Sequence, residues 1–122
     1  MINLTQHAAT PEQITAGVVP ASFAARLPSL LTFVGIPSPL EIRQRAEVIA
    51  SLAAETGAKS AMIGGAPFFM APLEVALHAV GIRAVFAFSD RVSVEEAQAD
   101  GSVRKVNVFR HIGFASSGMF QS

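Results

Sequence analysis

Apolar and polar positions change their period several times along the chain, and the changes mark out the elements. The clearest series runs from Ala58 to Asp90. An apolar run over Lys59 to Ile63 ends at Gly64-Gly65, an amphipathic stretch from about Pro72 to Val80 ends at Gly81, and a second apolar run from Ile82 to Phe88 ends at Ser89-Asp90-Arg91. Strand, turn, helix, strand is a βαβ unit. Leu73, Ala76, Leu77 and Val80 recur at intervals of three and four, which predicts one buried helix face. Ile82 to Phe88 is apolar on both parities, as a central strand covered on both sides would be.

Before this unit, Ile2 to Thr5 reads as a first strand running into Gln6 and His7. Thr10-Pro11-Glu12-Gln13 combines an N-cap, a proline at the first helical position and a glutamine that can close a capping box, so a short helix to about Ala16 is expected. Val18 to Gly35 reads as two helical pieces hinged at Pro28. Ser38-Pro39-Leu40-Glu41 opens a longer helix to about Thr56, with Ile42, Ala46, Ile49 and Ala53 on one face and the pairs Glu41/Arg45 and Arg43/Glu47 on the other. Beyond Asp90, the runs Arg91 to Glu96 and Val103 to Phe109 flank Asp100-Gly101, a hairpin signal.

The expected fold is α/β, a small three-layer Rossmann-like arrangement. Its mostly parallel three-stranded sheet, with right-handed crossovers, is extended by a C-terminal antiparallel β-hairpin. Residues 1–112 form one domain on this reading, and 113–122 form a flexible tail. In such a sheet, ligands bind beyond the carboxyl ends of the strands where strand order reverses. Three separated pieces are expected there: Thr5, Gln6 and His7; Gly64, Gly65 and the start of the loop at Phe68; and Ser89, Asp90 and Arg91. Gly64-Gly65 lets main-chain amides approach an anion, although a plain strand-ending turn uses the same residues. His7 offers an acid/base group or a hydrogen-bond donor, against the alternative of a helix-entry histidine satisfied by the backbone.

The other histidines carry less. His78 follows Glu74 by four residues and reads as a solvated Glu-His pair, and His111 beside Arg110 fits an anion contact or a structural role. Ser89, His7 and Asp90 do not make a convincing triad, because Ser89 lacks a G-x-S-x-G elbow and adjacent strand residues face opposite ways. Widely spaced histidines and no acidic loop argue against a metal, and no cofactor is expected.

Composition narrows the partners. The 122 residues are 51% hydrophobic and only 15% charged, so part of the surface is apolar and a homodimer is expected to cover some of it. Nine basic and nine acidic residues leave no net charge, which removes the footprint of a duplex nucleic-acid binder. Arg83, Arg91, Arg104, Lys105 and Arg110 nonetheless fall in the last third, which leaves room for a local anion site. With no cysteine there is neither disulfide nor thiolate chemistry. No run nears the ~20 apolar residues of a membrane-spanning helix, and Met1 to His7 has no secretory pattern, so a cytoplasmic protein without membrane contact is expected.

Asn3-Leu-Thr-Gln-His7, Ile63-Gly-Gly-Ala-Pro67 and Val106-Asn-Val-Phe-Arg-His111 together resemble a group of small uncharacterised bacterial, prophage and plasmid proteins, which implies an accessory gene of a mobile element. The strand-end layout is similar to the CRISPR-associated Rossmann-like domains, and that resemblance implies dimeric binding of cyclic oligoadenylates, in some cases with metal-free cleavage. From the residues, the expected function is binding of a nucleotide or other anionic small molecule by Thr5, Gly64, Gly65, Ser89, Asp90 and Arg91. His7 would serve as acid/base if a phosphodiester is cleaved. The alternative is a protein-protein interaction module using Phe68, Phe69, Phe114 and Phe120.

Overall fold

A computed structural model describes residues 1–120. In chain order the elements are β1 (Ile2–Leu4), α1 (Pro11–Thr15), β2 (Val19–Pro20), α2 (Leu27–Leu31), α3 (Pro39–Glu55), β3 (Ser60–Ile63), α4 (Pro67–Ala79), β4 (Arg83–Ala97) and β5 (Val103–Ala115), with a short 3-10 turn at Ala24–Arg26. The fold is α/β. Its strands form one mixed sheet in the order β2-β1-β3-β4-β5, parallel except for the antiparallel pair β4 and β5.

Local signals in the sequence account for most of the helix starts. Thr10 and Gln13 close the expected capping box on α1. Ser38 caps α3 by accepting from the Glu41 amide, while the Glu41 carboxylate turns to Arg45 at 2.7 Å instead of reaching back. Pro28 lies in the first turn of α2, where a missing N–H costs nothing, so it starts a helix there and does not hinge two. Val19–Pro20, expected as part of a helical stretch, is a two-residue edge strand beside β1.

Helix α4 begins five residues earlier than its apolar spacing suggested, because Pro67 suits the first turn and Phe69 is worth burying. Phe69, Leu73 and Leu77, four residues apart, are fully buried against Ile49, Leu4 and Ile63 in the main core. Each such burial is worth ~1.5–3 kcal/mol, enough to hold the helix together through Pro72 in its interior. The core lies on the face of the sheet shown by Ile2, Leu4, Ala61 and Ile63, and α3 and α4 cover it. Helix α1 buries none of its own residues.

The last expected parallel strand does not stop at Ser89. Strand β3 pairs only with Arg83 to Val85, but β4 continues without a break to Ala97, hydrogen-bonded to β5 alone. A solvated two-stranded ribbon needs no apolar run to continue, since its partner strand satisfies the backbone groups and polar side chains stay wet. The Asp100-Gly101 hairpin is therefore present but longer than expected, with Gly101 at φ 86° in the turn. A bulge sets Phe88 opposite Gly113 and Ser89 opposite His111, leaving Ile112 unopposed.

The final residues fold back onto the body. Gly113 to Ala115 complete β5, and Ser117 Oγ donates to the Glu74 carboxylate at 2.6 Å. Phe120 stacks on His78 with ring centroids 4.0 Å apart. Glu74 is thus buried and engaged by Ser117, not a solvated partner of His78. The remainder of the expected tail, residues 121–122, lies outside the described residues. Among the described residues, no helix is long and apolar enough to cross a membrane.

Candidate functional site

Strand order reverses at β1. From there the chain crosses outward to β2, then returns past β1 to β3 and on to β4, so the carboxyl ends of β1 and β3 border the switch point. A cavity of about 400 Å³ opens there. Its walls are Thr5 to Ala8 after β1, Met62 to Gly65 at the end of β3, Thr10 and Gln13 at the start of α1, and Phe86 and Ala87 on β4.

The segment after β1 is held by the Asn3 side chain, which no strand-end or turn signal assigns to the site. Asn3 is buried on the sheet face away from the main core. Its Oδ1 accepts from the Thr5 amide at 2.9 Å and from the Thr5 hydroxyl at 2.7 Å, and its Nδ2 donates to the His7 carbonyl at 2.8 Å. The His7 amide in turn donates to Thr5 Oγ1 at 3.3 Å. The five residues from Asn3 to His7 end in a tight bend whose polar groups bond one another. The Thr5 hydroxyl works inside this bend, whereas the His7 side chain is exposed at the cavity.

The glycines meet the bend from the other side. A Cβ on Gly64 would lie 3.4 Å from Thr5 Cγ2, so the two strand ends approach closely. Gly65 has φ 151°, a conformation L side chains rarely adopt. It leads into α4, whose N-cap residue Ala66 supplies no side-chain acceptor to the first-turn amides. The partial positive end of the α4 dipole lies at this end of the sheet, but Pro67 has no N–H and the Phe69 amide donates to the Ala66 carbonyl at 2.9 Å, so the main-chain donors of the cavity wall are those of Gly64 and Gly65.

Thr5, His7, Gly64 and Gly65 do come together, but Ser89, Asp90 and Arg91 do not join them. These three sit on the ribbon, opposite His111, Arg110 and Phe109, because β4 carries them past the sheet edge. Arg91 lies over the Phe109 ring at 5.3 Å from its centroid, in a cation-π contact. His7 is the one ionisable side chain lining the cavity. Gln6 lines it as expected of the residues after β1; Gln13, expected only as a helix cap, and Phe86, expected only as part of a strand, line it too. Beyond the bend lies a second cavity of about 390 Å³, reaching Val18, Pro20 and Ala21 and sharing Thr5 to Ala8 as its wall.

Some aromatic expectations also change. Phe69 is core, Phe114 packs edge-on to His111, and Phe120 covers His78; Phe68 is half exposed, with its ring edge-on to Phe33. His111 Nδ1 is buried without a hydrogen-bond partner among the described residues. Among those residues, no three histidine or acidic side chains are grouped so as to hold a metal ion.

The family model for the Uncharacterized protein MJ1673 family matches residues 1–115, which spans every strand from β1 to β5. The chain belongs to this family. No curated protein and no solved structure matches it. The matched region of this MJ1673-family chain contains the whole switch-point cavity, from Thr5 to Ala87.

Proposed function

We propose that this MJ1673-family protein binds a small molecule at the switch point between β1 and β3, as a Rossmann-like sheet would. The cavity of about 400 Å³ at those two strand ends, walled by Thr5 to Ala8 and Gly64-Gly65, carries the reading. Its chemistry favours a nucleotide or comparable ligand of low charge. Phe86 and Met62 offer apolar contact, Gln6 offers a donor and an acceptor, Gln13 offers the donor its capping bond leaves over, and the main-chain amides at Gly64-Gly65 offer an anion contact without a cation. The absence of Arg91 from the lining moves the reading toward binding and away from turnover. If a phosphodiester is cleaved, His7 is the acid/base group on this reading, and no arginine is placed to stabilise the developing charge.

Thermal shift with AMP, ADP, adenosine and inorganic phosphate tests it. A nucleotide at about 100 times its Kd should stabilise the fold by ~2.7 kcal/mol and raise the melting temperature, and Gly64→Val, whose side chain would press on Thr5 in the cavity wall, should abolish the rise. No shift with any nucleotide or anion would remove the proposal. Undiminished phosphodiester cleavage by His7→Ala would remove the catalytic arm alone.

A further inference from the structure

On the outer side of α3 and α4 lies a groove of about 680 Å³ that no part of the described chain fills. The lining residues on α3 step from Pro39 to Ser51 at intervals of three and four, and those on α4 step from Phe68 to Val80 at the same intervals, so each helix offers one face over three turns. The α4 stripe contains no polar side chain, and Phe68, Val75 and Val80 are 50%, 51% and 42% exposed. On α3 the stripe carries two charges, Arg43 and Glu47, one turn apart. They do not pair with each other: Glu41 and Arg45 make the one ion pair found among the described residues.

We infer that this groove is the contact surface of a homodimer in which α3 and α4 pack on the same two helices of a second copy. A two-fold axis in the interface makes residue i meet j while j meets i. With the axis crossing α3 between Arg43 and Glu47, the two α3 helices run antiparallel, and each Arg43 faces Glu47 of the partner subunit. The unpaired charges are then complementary twice over, and α4 lies on α4 around Val75. An axis along the helices would instead set α3 against the uncharged α4 stripe, leaving all four charges without partners, so the charge pattern selects the antiparallel arrangement. Alanines 46, 50, 71 and 79 in the groove allow close helix approach. The switch-point cavities of the two copies then open at opposite ends of the dimer.

Sedimentation equilibrium of the full chain tests the inference. The wild type should be a dimer at micromolar concentration. Arg43→Glu and Glu47→Arg should each weaken the dimer about tenfold or more, with unchanged circular dichroism. Mixed in equal amounts, the two variants should recover wild-type affinity, because every glutamate then meets an arginine. Val75→Lys, at an exposed position in the centre of the stripe, should give a folded monomer. A wild type that stays monomeric at micromolar concentration, or a mixture that dimerises no better than its components, would overturn the inference; so would a monomeric wild type whose groove retains a fatty acid detected by mass spectrometry.

Discussion

Asn3 shows how one buried carboxamide can shape a site that it does not line at the switch point. It occupies a position where an apolar residue would add to packing, and it spends its three hydrogen bonds on Thr5 and His7. Asn3→Ala should lower stability by ~1–3 kcal/mol in urea denaturation and loosen the His7 bend, since the Thr5 amide loses its partner. Asn3→Asp keeps the acceptor but sets a buried carboxylate oxygen against the His7 carbonyl, so at neutral pH its cost should be at least as large. The sequence made Thr5, His7, Gly64 and Gly65 legible because each lies just past the end of a parallel strand, and strand ends are marked by local turn chemistry. Asn3 left no such trace: in a three-residue strand, one polar position is too little pattern to tell an inward side chain from an outward one.

Among the elements, α4 and the ribbon depart most from expectation, for different reasons. Pro67 and Pro72 both punctuate the sequence, and spacing alone gave no ground for placing the first at a helix start and the second inside the helix; burial of Phe69 decides it. Glu74 on the same helix follows Leu73 inward and is held by Ser117, far along the chain, which no local pattern could announce. Ser117→Ala should cost ~1–3 kcal/mol by leaving the buried carboxylate without its donor, and Glu74→Gln, which can still accept from Ser117, should cost less; chemical denaturation measures both. The ribbon was half legible. Its turn has the residues a hairpin requires, but its root at Ser89-Asp90-Arg91 looks like a strand end, because a ribbon wet on both faces has no apolar run to extend. Its register sets Val92 opposite Val108 and Val94 opposite Val106, with Asp90 opposite Arg110 and Glu96 opposite Arg104 flanking them on the same face.

At the scale of the molecule, the chain divides into a packed body and a thin projection. The large buried side chains lie at or before Val85, and beyond Ala87 the residues of β4 are at best half buried. Two strands alone are marginal in water, so the ribbon draws its order from the body and returns little stability to it. Replacing residues 92–108 by Asn-Gly joins Arg91 to Phe109, which already face each other across the ladder. The shortened chain should fold with a melting temperature within a few degrees of the full one, by calorimetry. A fall of tens of degrees would mean that the ribbon belongs to the core. Composition foretold the apolar surface. The placement of that surface on the outer helix faces followed only when α4 was seen to start at Pro67 and bring Phe68 onto the same stripe as Val75.

Because β4 is one unbroken strand, the wall of the cavity and the ribbon are a single lever. Phe86 is at its fulcrum and Ala97 is eleven residues farther on, so at about 3.4 Å per residue the arm reaches at most roughly 37 Å. A tilt of about 5° at Phe86 moves that ring's neighbours by well under an ångström, yet sweeps the far end through roughly 3 Å, by simple proportion to arm length. A ligand that shifted β4 at Phe86 would, to the extent that the ribbon moves with its root, displace the hairpin turn farther than the cavity wall, and the register shift at Phe88 and Ser89 is the irregularity along that path.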